Sequence, residues 1–139
     1  MATLVFNFEE IAPRELRPEL LEMDGISRAS VEAHYKLYQG YCNKRNEILG
    51  RLAEVDAGAA NQVYSDLRAL KVDLTFAIGG VKNHEVYFAH LGGEGGDPTG
   101  AFRTLVNRDF GSVAAWRDDL RATAQRYRVL DEDGVRPPQ

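Results

Sequence analysis

The sequence predicts a mainly α-helical protein: a long antiparallel helical hairpin followed by two shorter helices. Two observations carry this reading. Apolar side chains recur at steps of three and four along two long stretches joined by one short connection, and no stretch shows the period-two alternation of a strand. With 139 residues, 44% of them hydrophobic, the chain is long enough for one real core.

The first helix is expected to start after Ser27, a residue type that caps helix N-termini, and to end near Ala53. Val31, His34, Tyr35, Tyr38, Tyr41, Cys42, Ile48, Leu49 and Leu52 fall along one side of it. Ala57-Gly58-Ala59-Ala60 reads as the connection, and Asn61 as the cap of a second helix reaching about Leu91. In that helix Leu67, Leu74, Val81 and Phe88 are spaced by seven, as are Leu70, Ala77, His84 and Leu91, which makes a two-row seam for packing on another helix. Gly79-Gly80 interrupts it. Two adjacent glycines cost a helix roughly 1–2 kcal/mol relative to alanine, so they predict a kink or a close approach by another group.

Gly92 to Gly100, with four further glycines or prolines between, cannot continue a helix and reads as a hinge. Phe102, Leu105, Val106 and Phe110 form a short helical stripe that Gly111-Ser112 stops and recaps, and Val113, Trp116, Leu120 and Tyr127 supply the apolar side of a last helix. The expected organisation is therefore an N-terminal arm (1–26) punctuated by Pro13 and Pro18, the hairpin (27–91), the hinge (92–100), two shorter helices (101–128) and a disordered tail (129–139).

A formal net charge of -4 argues against nucleic-acid backbones or anionic membranes as partners. The one cysteine, Cys42, has no internal disulfide partner, which favours a reducing compartment. Residues 1–17 carry Glu9, Glu10, Arg14 and Glu15 with no apolar signal region, and no apolar run approaches the ~20 residues that cross a bilayer. A cytoplasmic protein is the expectation.

His34 lies early in the first helix and His84 late in the second, so an antiparallel hairpin sets them level to within about one turn. Both sit on the apolar stripes. Two converging imidazoles suit iron, manganese or zinc, although a histidine on an apolar face is ordinarily a hydrogen-bonded core residue, and spacing alone leaves both readings open. His90 points about 120° away from His84 and is expected in solvent at the helix end. Cys42 reads as a small buried apolar residue rather than a nucleophile.

Three strings in order resemble the iron/manganese superoxide dismutase family. They are His34-Tyr35 through Gln39-Gly40-Tyr41-Cys42 to Asn46, then Asn83-His84-Glu85-Val86-Tyr87-Phe88, then Gly95-Gly96-Asp97-Pro98-Thr99-Gly100 leading to Phe110-Gly111-Ser112. Together they span about Ile26 to Ala124. The resemblance implies that His34 and His84 are metal ligands, that Tyr41 gates the site with Tyr38 in support, that iron or manganese is the cofactor and that superoxide is the substrate. Phe88 stands where the family's motif usually has tryptophan, Gly80 where many iron enzymes keep a glutamine, and His34 and Tyr41 are seven residues apart where the family has eight. One residue fewer rotates the pair by about 100° on a regular helix.

The similarity stops after Ala124, and no histidine follows His90. The family's two further ligands, an aspartate and a histidine four residues later, and its C-terminal sheet are therefore expected to be missing, and the chain reads as truncated. A metal site of two ligands is expected to be incomplete and loosely held. The competing reading is a non-catalytic helical interaction module. In either case, apolar surface left along the hairpin predicts a homo-oligomer.

Overall fold

The structure, a computed structural model, describes residues 8–126. Among the described residues the regular elements are helices and 3₁₀ turns, with no strand. The chain divides into two compact units, Met1–Gly93 and Glu94–Gln139.

The first unit is the hairpin with its arm. Helix α1 (Arg28–Glu54) starts where expected: Ser27 caps it, with Oγ accepting from the Ser30 N–H at 3.2 Å. A 3₁₀ turn (Ala57–Ala59) follows, and helix α2 runs Asp66–His90. The cap of α2 corrects the sequence reading. Ser65, not Asn61, accepts from the Arg68 N–H, at 3.3 Å, so the helix starts four residues later than an Asn61 cap would place it. Asn61 is committed elsewhere, its Oδ1 accepting from the amides of Val63 at 2.8 Å and Tyr64 at 3.4 Å in the preceding turn.

The two seams meet as their periodicity requires. Leu70, Ala77, Val81 and Phe88 of α2 are buried against Val31, Tyr38, Cys42, Ile48, Leu49 and Leu52 of α1. One cluster lies by the connection (Ile48, Leu49, Leu52, Leu70 and Ala77) and the other toward the open end (Val31, Tyr38, Cys42, Val81 and Phe88, closed by Leu20). Each large side chain taken fully out of water contributes about 1.5–3 kcal/mol, so these clusters hold the helices together. Leu20 belongs to a 3₁₀ turn, Pro18–Glu22, inside the segment expected to be the N-terminal arm.

Residues 8–17 have no regular structure and are tied to the hairpin by side chains that bond to their main chain. Asn46 accepts from the Ile11 N–H at 3.1 Å and donates to the Ile11 carbonyl at 2.9 Å. Arg45 donates to the Glu9 carbonyl, and Tyr35 donates to that of Arg14 at 2.9 Å. Arg17 donates to the Phe88 and Leu91 carbonyls, which an α-helix C-terminus otherwise leaves without partners.

In the second unit helix α3 (Gly100–Phe110) ends at Gly111, whose φ of +80° suits glycine and whose N–H donates to the Asn107 carbonyl at 3.0 Å. Ser112 then accepts from the Ala115 N–H at 3.1 Å and starts helix α4 (Val113–Arg126). Phe102 meets Trp116 edge to face with ring centroids 5.7 Å apart. Of the expected stripe on α3 only Val106 is buried, while Phe102, Leu105 and Phe110 are exposed, as is Leu120 of α4. Tyr127 and the tail expected over 129–139 lie outside the described residues. No helix among the described residues is long and apolar enough to cross a membrane.

Candidate metal centre

The hairpin brings His34 and His84 together as the level argument requires. Their ring centroids are 4.8 Å apart with the planes at 70°. Two imidazoles on one ion, each with a metal–nitrogen distance of about 2.1 Å, have centroids roughly 4–6 Å apart, so this spacing suits a shared ion. Among the described residues no group of three or more His, Cys, Asp or Glu side chains is placed to hold a metal. The two imidazoles are therefore the donor set to be weighed.

Each ring has a defined surrounding. His84 Nδ1 lies 2.6 Å from the Gly80 carbonyl, four residues back on its own helix. A neutral ring donates there, and its Nε2 then carries the free lone pair. His34 packs against Tyr87 at 4.6 Å and Phe88 at 5.3 Å between centroids. Burial, and secondarily the neighbouring His84, lower the His34 pKa below the ordinary imidazole value. That keeps its ring neutral, the form a metal requires.

Tyr41 lies 5.2 Å from His84 between ring centroids and 5.8 Å from Phe76. Its ring occupies the space over Gly80. A Cβ at residue 80 would stand 2.5 Å from Tyr41 Cε1 and Cγ, whereas one at residue 79 would meet nothing within 4 Å. Of the two outcomes expected of the glycine pair, close approach is what occurs, and α2 runs unbroken through it. The seven-residue step from His34 to Tyr41 is nearly two full turns of the unbroken α1, which puts both rings on the face that meets His84.

Tyr38 is the buried wall of the site. It is 2% exposed, its ring lies within 18° of parallel to that of His84 at 6.2 Å, and burial pushes its phenol pKa up to about 12. Cys42 is fully buried beside it, and burial raises its thiol pKa too. His90 is exposed, with Nδ1 2.7 Å from the Val86 carbonyl, and takes no part in the pair.

Sequence reasoning missed Glu85 as part of this environment. Its carboxylate, 14% exposed, accepts from the Tyr38 hydroxyl at 3.3 Å and lies 3.5 Å from both Arg14 and Lys82. Glu85 stands off both heptad rows of α2, so periodicity carried no signal for it.

Comparison with known proteins bears on the same segment. The family model described as iron/manganese superoxide dismutases, alpha-hairpin domain, matches residues 19–92. The chain is 40% identical over 125 residues to the superoxide dismutase [Fe] of Aquifex aeolicus, covering 86% of this chain and 58% of that one. It is 37% identical over 112 residues to the superoxide dismutase [Fe] of Cupriavidus metallidurans, covering 78% and 55% respectively. It is also 36% identical over 90 residues to the mitochondrial superoxide dismutase [Mn] of Charybdis feriata, covering 64% and 38%. The chain thus spans well under two thirds of the length of these relatives.

Proposed function

This chain belongs to the iron/manganese superoxide dismutase family, and on that premise we propose that it is a superoxide dismutase-like metalloprotein whose His34 and His84 are metal donors. The observation that carries the proposal is the approach of these two imidazoles, 4.8 Å between centroids, inside the family-matched segment. Iron or manganese, when bound, supplies one-electron redox change, which in the family converts superoxide to dioxygen and hydrogen peroxide.

The residues of the chain do the rest. His34 and His84 bind through imidazole nitrogens, with the Gly80 carbonyl fixing the proton on His84 Nδ1. Tyr41, beside His84 and partly exposed, gates approach to the pair. Tyr38 keeps its proton on the phenol oxygen across the physiological range and supports the site as a hydrogen-bonding wall. Two donors leave most coordination positions to water or to groups outside the described residues, so metal is held weakly and dismutation by the chain alone is slow.

The proposal extends to a cytoplasmic, self-associating chain. Its free, buried Cys42 fits a reducing compartment. The exposed apolar side chains Leu37 and Phe76 on the hairpin favour a second reading, a helical module that self-associates without catalysis. Metal analysis of the purified chain separates the two. On the first reading weakly held iron or manganese is lost on His84→Ala and kept on His90→Ala. Tightly held metal and robust superoxide removal that both survive His84→Ala would overturn the assignment of the site.

A further inference from the structure

The Tyr38 hydroxyl is a junction of three segments. It accepts from the Arg14 N–H of the arm at 3.0 Å and donates to Glu85 Oε1 of α2 at 3.3 Å, while its own residue sits in α1. Those partners are 24 and 47 residues away in sequence. With a donor and an acceptor both engaged, the phenol has little freedom, and its ring lies nearly parallel to His84.

We propose that the N-terminal arm positions the histidine pair: the Arg14 main chain, acting through Tyr38 and Glu85, holds the wall on which the His84 ring rests. The inference depends on the reading of His34 and His84 as metal donors and adds Arg14, Tyr38 and Glu85 to it as positioning residues.

Three features favour a positioning role over simple packing. Arg14 is gripped on both sides of its main chain, because its carbonyl accepts from Tyr35 while its N–H donates to Tyr38. Glu85 directly follows His84 on α2, so the contact that fixes the Tyr38 oxygen also restrains the turn that carries the imidazole. The arm adds a charge to the same carboxylate, with Arg14 3.5 Å from Glu85, but the arginine side chain is 72% exposed and such a pair is worth little on its own. The value of the arrangement is geometric.

The test compares Tyr38→Phe, which keeps the ring and removes the oxygen, with Asn46→Ala, which removes both arm bonds at Ile11 and no bond at Tyr38. Two readouts are taken: the His84 ring ¹⁵N resonances of the metal-free protein at about pH 8, where an ordinary imidazole is neutral, and cobalt(II) affinity by titration.

The expected result is that Tyr38→Phe moves the His84 ring resonances and weakens cobalt roughly tenfold or more. Asn46→Ala lowers the melting temperature and leaves both readouts alone. Unchanged His84 resonances in a folded Tyr38→Phe variant overturn the proposal, as does an equal shift in Asn46→Ala. Should Tyr38→Phe fail to fold, Arg14→Pro deletes the amide donor at an exposed residue and is judged against Arg14→Ala, which keeps it. A native chain that takes no cobalt sinks the donor reading instead, and the ring resonances still decide whether the arm positions His84.

Discussion

Replacing Gly80 by alanine separates two opposed effects within one helix. Alanine in a helix interior is better than glycine by about 0.8–1 kcal/mol, and at Gly79, where a Cβ meets nothing within 4 Å, that gain should be realised in full. At Gly80 the same methyl would stand 2.5 Å from Tyr41 Cε1 and Cγ, against an ordinary carbon–carbon contact of about 3.5–4.0 Å. The ring must withdraw by about 1 Å or more. Overpacking of this kind costs about 1–3 kcal/mol, so the net effect of Gly80→Ala runs from near zero to about 2 kcal/mol of destabilisation. Urea unfolding should therefore separate Gly79→Ala from Gly80→Ala by about 1–3 kcal/mol, at roughly 4 °C of melting temperature per kcal/mol. Adding Tyr41→Ala to Gly80→Ala should recover most of the helix-propensity gain relative to Tyr41→Ala alone, which a double-mutant cycle reads directly. If Gly80→Ala stabilises the protein as much as Gly79→Ala, Tyr41 does not lie over that glycine and the site geometry is wrong.

The remaining predictions concern protonation and capping. Because the folded-state pKa of His34 lies below its ordinary 6.5, the unfolded chain binds more protons in the interval between the two values. The stability tied to a neutral His34 is thus present above about pH 6.5 and lost as pH falls through the folded pKa; melting curves across that range should show the decline, and His34→Gln should flatten it. Ser65→Ala should cost about 1 kcal/mol by denaturant titration, the usual loss of an N-cap, and Asn61→Ala clearly less. The reverse order would restore Asn61 as the cap.

The hairpin was legible in the sequence because a seven-residue spacing is set by helix geometry, and the rows through Leu67 and Leu70 could face only one partner. The same arithmetic found His34 and His84, since levels along two antiparallel helices depend on residue count alone. It could not show how the arm is held. The bonds from Tyr35, Tyr38, Arg45 and Asn46 are made to main-chain atoms of residues 9–14, and main-chain groups look alike in every sequence. The start of α2 was misread because Asn61 and Ser65 are both good caps, and the first buried heptad residue, Leu70, follows either one. On α3 the stripe of Phe102, Leu105 and Phe110 identified the helix correctly, but periodicity states which side is apolar and not whether anything covers it.

The complete burial of Cys42 gives the molecule an internal clock. It is the one thiol in the chain and sits where α1 meets α2, packed with Val81 and Phe88. A thiol reagent reaches it only when the helices part, so labelling of the otherwise unmodified protein counts openings of the hairpin. When closing outpaces modification, the labelling rate reports the free energy of opening; when modification outpaces closing, it reports the opening rate itself. Both can be followed by mass, without a fluorophore and without disturbing the histidines.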